Sequence, residues 1–209
     1  MPVHWESGTV FFHIPKCGGT SLEIMFSMMG EKSLWSENWK EYNFRGVDFA
    51  PQHLTPEAMF NFYPETRGFR SLCITRHPIH KAVSEYIFLS TNHPSVPKMI
   101  RERFRFNELG FRAWLRLIAK RKKMDHTLDQ WNWAKSSDCV YDLSDFDTAA
   151  AKFQELTGIN PIQKKVTANK GMYNTSEIAN NLGNTTIRLI EDIYSKDFEK
   201  IGYSMGDLG

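Results

Sequence analysis

Lys16, Cys17, Gly18, Gly19, Thr20 and Ser21 stand in one unbroken run, and together they suit the binding of an oxyanion. A glycine pair lets backbone N–H groups approach an anion closely. Where a helix begins, its first N–H groups lack internal partners and carry the positive end of the helix dipole. Lys16 adds a full positive charge, and the hydroxyls of Thr20 and Ser21 add donors at the same turn. A Walker A loop places its lysine after the last glycine, directly before Ser or Thr. Lys16 precedes both glycines, which disfavours an ATPase or GTPase. A cysteine phosphatase needs an arginine closing the loop, but the position holds Glu23, whose charge opposes a phosphate ester. Cys17 therefore reads as a small loop residue rather than a nucleophile, although a helix N-terminus would lower the pKa of its thiol. Further on, Arg76 precedes His77 and Pro78, and Ser84 lies two turns into the helix expected there. Alone, such an arginine reads as a surface or salt-bridge residue; beside an anion loop its guanidinium reads as a fork for phosphate oxygens.

These groups need strands that end, and helices that begin, at the right places. Residues 9–14 have β propensity and lead into the loop, after which Leu22, Met25, Phe26 and Met29 recur at helical spacing. The spacing predicts strand, glycine loop, then a helix from Thr20. A second junction repeats the plan, with a buried strand at 71–75 and a helix over 79–89 turning Ile79, Val83, Tyr86 and Ile87 inward. Pro78 sits where a first helical turn tolerates it. Residues 44–49 predict a further short strand and 139–143 another, followed by a helix over 148–156 that Gly158 ends. A last helix carries Ile187, Ile190, Tyr194 and Phe198, its apolar face expected on the sheet. Strands alternating with helices indicate an α/β domain with a parallel sheet, and 209 residues without a repeat or linker read as one domain, 1–209.

The run His13-Ile14-Pro15-Lys16-Cys17-Gly18-Gly19-Thr20-Ser21 resembles the 5′-phosphosulfate loop of carbohydrate sulfotransferases that use 3′-phosphoadenosine 5′-phosphosulfate (PAPS). That group includes the heparan sulfate 2-O-sulfotransferases and many small bacterial relatives. Residues 75–86 resemble the same family's 3′-phosphate element, in which an arginine and, one helical face later, a serine hold the phosphate; here these are Arg76 and Ser84. His77 stands where the family more often has an acidic or amide residue. His126 with Gln130, the strand near Val140, Asp197-Phe198 and Gly202-Tyr203 resemble fainter landmarks, so the likeness spans most of the chain. It implies a three-layer, P-loop-like sulfotransferase fold with a central, mainly parallel sheet flanked by helices. It also implies PAPS as co-substrate, its desulfated form PAP as product, and a hydroxyl or amine acceptor, expected on a carbohydrate. Lys16, Cys17, Gly18, Gly19, Thr20, Ser21, Arg76 and Ser84 become the expected donor contacts, with Lys170 in the basic run 164–171 as a further one.

Transfer to an alcohol also needs a base, and an imidazole titrates near neutrality without special tuning. Of the histidines, His53 lies in the polar Pro51-Gln52-His53 segment before a helix start at Thr55-Pro56, and corresponds in chain order to a catalytic histidine of the 2-O-sulfotransferase-like members. It is the expected base, with Lys16 assisting the leaving phosphate. His126, close to Gln130 and Trp131, is the second candidate or an acceptor-positioning group, while His13 reads as a buried hydrogen-bonding residue. No His/Cys/Asp cluster has metal-ligand spacing along the chain and the donor is an activated anhydride, so no catalytic metal is expected.

Basic residues crowd 101–123, interleaved with Phe104, Phe106, Phe111, Trp114 and Leu117; this is a solvated basic face or a surface for an anionic glycan. Trp35, Trp39, Trp131 and Trp133 could stack on sugars or fill core. A net charge of +2 gives no reason to expect indiscriminate nucleic-acid or membrane binding. Cys17, Cys73 and Cys139 are an odd set in a chain long enough to fold without staples, which suits a reducing compartment. With no signal-peptide pattern and no membrane-length apolar run, a cytoplasmic location is expected. The rival readings are a kinase-like P-loop enzyme and a non-catalytic anion- or glycan-binding module.

Overall fold

A computed structural model describes residues 3–28, 42–91, 104–162 and 173–205. In chain order these hold strands β1 (Val3–His4) and β2 (Thr9–Phe12), helix α1 (Gly19–Met25), strands β3 (Tyr42–Phe44) and β4 (Val47–Phe49), helix α2 (Pro56–Phe62) and strand β5 (Arg70–Thr75). Helices α3 (Pro78–Thr91), α4 (Glu108–Leu117) and α5 (Trp131–Ala134), strand β6 (Cys139–Asp142), and helices α6 (Phe146–Thr157), α7 (Thr175–Asn180), α8 (Asn184–Ile193) and α9 (Ser195–Ile201) follow. They fall into two compact units: Met1–Arg76 with Lys123–Asn169, and His77–Lys122 with Lys170–Gly209.

The first unit is built on a sheet of order β1-β2-β5-β6, in which β1 is antiparallel to β2 while β2, β5 and β6 run parallel. The fold is thus the expected α/β arrangement with a central, mostly parallel sheet. Every residue of β2 is buried, and Arg70 alone is exposed in β5. Such uninterrupted runs are what a parallel sheet covered on both faces requires. Leu22, Met25 and Phe26 of the α1 segment pack with Phe11, Leu72 and Ile74 of the strands and with Ala149, Ala150, Phe153 and Leu156 of α6. Gly158, at φ 72°, caps α6 in the left-handed region as its position suggested. Residues 44–49 do not form one strand. Arg45 (φ 52°) and Gly46 (φ 76°) both turn left-handed, so β3 and β4 close a hairpin through a two-residue turn of the kind that usually announces itself with Asn-Gly.

The second unit is helical. Ile79, Val83 and Ile87 of α3 share a core with Phe111 and Leu115 of α4 and with Ile190, Tyr194 and Phe198. The last helix is two helices, because Tyr194 leaves the helical range at φ −110°, ψ 28° and α9 starts afresh at Ser195. The apolar residues expected on the sheet, Ile190, Tyr194 and Phe198, share their core with α3 and α4, helices that present an apolar stripe of their own. Among the described residues, no helix is long and apolar enough to cross a membrane.

Candidate active site

Between β2 and α1 the chain reverses through backbone states that few residues accept. Lys16 lies at φ 64° and Gly18 at φ 85°, and the turn is closed by Cys17 N–H to the Ile14 carbonyl (3.4 Å) and Ser21 N–H to the Gly18 carbonyl (2.9 Å). A lysine in the left-handed region is held against its own preference, the kind of local strain that functional turns retain. Lys16, Thr20 and Ser21 are half-buried. Both glycines are also demanded by packing: a Cβ on Gly18 would run into Leu143, and one on Gly19 would overlap the ring of His13.

Arg76 leaves the end of β5 half-buried, and its guanidinium Nη1 donates to the Lys16 carbonyl at 3.4 Å. Burial is the main influence on its pKa and lowers it, and a guanidinium remains a cation throughout. Gln130 holds this residue in place. Its Nε2 donates to the Arg76 carbonyl (2.7 Å), and its Oε1 accepts both from the Arg76 N–H (2.8 Å) and from Cys17 Sγ (3.1 Å). Cys17 is buried, and its thiol also lies 3.4 Å from the Pro15 carbonyl, so the group acts as a donor within the loop.

Next to the loop lies a histidine cluster. Nδ1 of His53 donates to the His13 carbonyl at 2.9 Å, which leaves Nε2 with its lone pair. The His53 ring stands edge-on to His13 (centroids 4.6 Å) and to His126 (4.9 Å). Burial pushes the His53 pKa well below 6.5, and the neighbouring His13 and His126 push it the same way, so the ring is neutral near pH 7. His13 Nδ1 in turn donates to buried Glu23 Oε1 at 2.7 Å, so the negative charge that the sequence set against a phosphate ester is directed at an imidazole. Trp133 N–H bonds the carbonyls of His53 (3.2 Å) and Leu54 (3.0 Å), fixing the backbone beneath the ring. Asp125 accepts from the N–H of Ala50 on Oδ2 (2.8 Å) and from that of His126 on Oδ1 (2.6 Å), tying the Pro51–His53 turn to the Asp125–Thr127 turn.

Lys16, Cys17, Gly18, Gly19, Thr20, Ser21, His53, Arg76 and His126 therefore belong to one unit, whereas Ser84 is a half-buried residue of α3 in the other. Lys170, Trp35 and Trp39 lie outside the described residues. Trp133 is core, and Trp131 is half-buried. On α4, Phe111 and Leu115 are buried while Arg116 is exposed, as a basic face of an amphipathic helix should be. The sequence missed Asp125 and the pairing of Glu23 with His13, and it left Gln130 as a faint landmark. None has a spacing signal, because each partner is brought in by the fold. His53, Asp125 and His126, which showed no metal-ligand spacing along the chain, each offer a ligand atom within 4.8 Å of the other two.

The family model described as the sulfotransferase family matches residues 3–204 of this chain. No curated protein and no solved structure matches it.

Proposed function

The chain belongs to the sulfotransferase family, and from that premise we propose that it moves a sulfuryl group from PAPS to a hydroxyl of a carbohydrate acceptor, with His53 as general base. The observation that most supports the reading is the approach of the Arg76 guanidinium to the Lys16 carbonyl, which sets two cations at one turn. Two anionic groups on one nucleotide, a 5′-phosphosulfate and a 3′-phosphate, match two such cations.

In this reading Lys16 and the loop N–H groups meet the charge that grows on the departing 5′-phosphate. Arg76 takes the 3′-phosphate; Ser84 and Lys170 join it on the strength of the resemblance alone. The acceptor oxygen attacks sulfur in line, the bond from sulfur to the bridging oxygen breaks, and its electron pair leaves with PAP. The acceptor's proton passes to His53 Nε2, the nitrogen left open because Nδ1 is held by the His13 carbonyl. His13 lies three residues before Lys16, so the same stretch orients the base and the donor loop. A second assignment of the base rests on one observation: His126 is half-buried where His53 is buried, and their rings touch edge to face.

Thermal shift with PAP against ATP and Mg²⁺ tests the donor. A ligand at about 100 times its Kd adds ~2.7 kcal/mol of stability, so PAP should raise the melting temperature by several degrees and ATP should not. An equal response to ATP would point to a kinase-like enzyme, and PAP binding without transfer to any acceptor to a binding module. For the base, His53→Ala should keep PAP affinity and lose turnover by ~10²–10⁴-fold. Loss in His126→Ala with full turnover in His53→Ala moves the role to His126.

A further inference from the structure

The Pro51–His53 and Asp125–Thr127 turns bring two imidazoles and a carboxylate to one point, with one ligand atom from each of His53, Asp125 and His126 within 4.8 Å of the others. Three features suit them to a metal ion. Two nitrogens and one carboxylate oxygen are a donor set that Zn²⁺ favours over harder cations such as Mg²⁺. His53 Nδ1 donates to the His13 carbonyl, the orienting bond that a metal-binding histidine makes with its other ring nitrogen. Asp125 is buried and its two oxygens accept backbone N–H groups from both turns, which holds the carboxyl group in place beside the two rings. At metal–ligand distances of ~2.0–2.2 Å, the three atoms must draw together by about an ångström. His126, half-buried, is the more exposed of the two rings.

We propose that His53, Asp125 and His126 form a zinc site that switches transfer off: the ion takes the Nε2 lone pair that the acceptor's proton requires. The inhibitory effect rests on His53 being the base, whereas the binding does not.

The experiment uses the full chain, freed of metal with a chelator that is then removed, and titrated with Zn²⁺ alone. Calorimetry should show one ion per chain, and Co²⁺ in its place should give the visible absorption of a tetrahedral nitrogen-oxygen site. Transfer should fall along the same titration and return on adding EDTA. His126→Ala should weaken zinc by more than ~10-fold, and retained PAP affinity shows that this variant is folded; His126→Asn is the alternative should the alanine variant not fold. Zinc binding unchanged by both substitutions would overturn the site. One bound ion lost in His126→Ala, with transfer undiminished in wild type, would overturn the switch and the assignment of the base to His53 together, while leaving the ligands identified. Full turnover in His53→Ala without zinc would refute the base alone.

Discussion

The carboxamide of Gln130 pairs twice with the backbone of Arg76, giving to its carbonyl at 2.7 Å and taking from its N–H at 2.8 Å, much as a neighbouring strand would. Gln130 is completely buried. Gln130→Ala therefore strands two polar groups, each at a cost of ~1–3 kcal/mol. Denaturant unfolding should show the loss, and PAP titration a weaker affinity, because the guanidinium no longer has a fixed origin. Gln130→Glu keeps the shape and the acceptor but sets an oxygen against the Arg76 carbonyl, so it too should fail to restore affinity. Wild-type PAP affinity in both variants would separate Gln130 from the donor site.

Lys16 sits at φ 64°, a region that glycine enters without cost and lysine does not. Lys16→Gly thus removes the charge while relieving the backbone, and should leave the melting temperature equal or higher. Donor affinity and transfer should both fall sharply. Lys16→Ala removes the same charge without the relief, so it should match the glycine variant in activity and lie below it in stability. Transfer at the wild-type rate in Lys16→Gly would end the assignment of this loop to the donor.

Local signals carried the sequence reading as far as Lys16, Gly18, Gly19 and Arg76, because a strand, a tight turn and a helix start are written within a few consecutive residues. The same holds for Gly158, whose left-handed cap ends α6. It fails where two segments distant in sequence meet. Asp125 bonds Ala50 across 75 positions and Gln130 bonds Arg76 across 54, distances over which no periodicity speaks. The β3–β4 hairpin was hidden by chemistry instead: Arg45 occupies a left-handed position that sequence patterns reserve for Asn, Asp or Gly. Tyr194 kept the helical spacing of the last segment intact while its backbone broke the helix, so periodicity alone joined α8 to α9.

Gly19 and Gly68 make opposite demands. A Cβ at Gly68 meets no atom within 4 Å but is strained by φ 88°, whereas a Cβ at Gly19 would overlap the His13 ring, which Glu23 holds at 2.7 Å. Gly19→Ala should cost ~1–3 kcal/mol by overpacking, and any shift of His13 also moves the carbonyl that orients His53. Gly68→Ala should lose stability from the strained backbone with turnover unchanged. If the two variants lose transfer equally, the close contact at His13 has no bearing on the base.

The pH profile tests the histidine cluster most directly. His53 faces His13 and His126, with Asp125 beside His126 and Glu23 behind His13. Burial first, then the two imidazoles, hold its pKa well below 6.5. The neutral ring is the form that accepts a proton, so kcat/KM measured with a chelator present should stay level through pH 6.5 and fall only well below it. Stability follows the same group by linkage. An unfolded histidine titrates near ~6.5, so between that pH and the lower folded value the unfolded chain binds more protons. His53 therefore supports the fold fully above about pH 6.5 and progressively less as pH falls towards its folded pKa, by up to ~1.4 kcal/mol per pH unit. His53→Asn should flatten that slope. An acidic limb at or above pH 6.5 that vanishes in His126→Ala, and persists in a still-active His53→Asn, would identify His126 as the base.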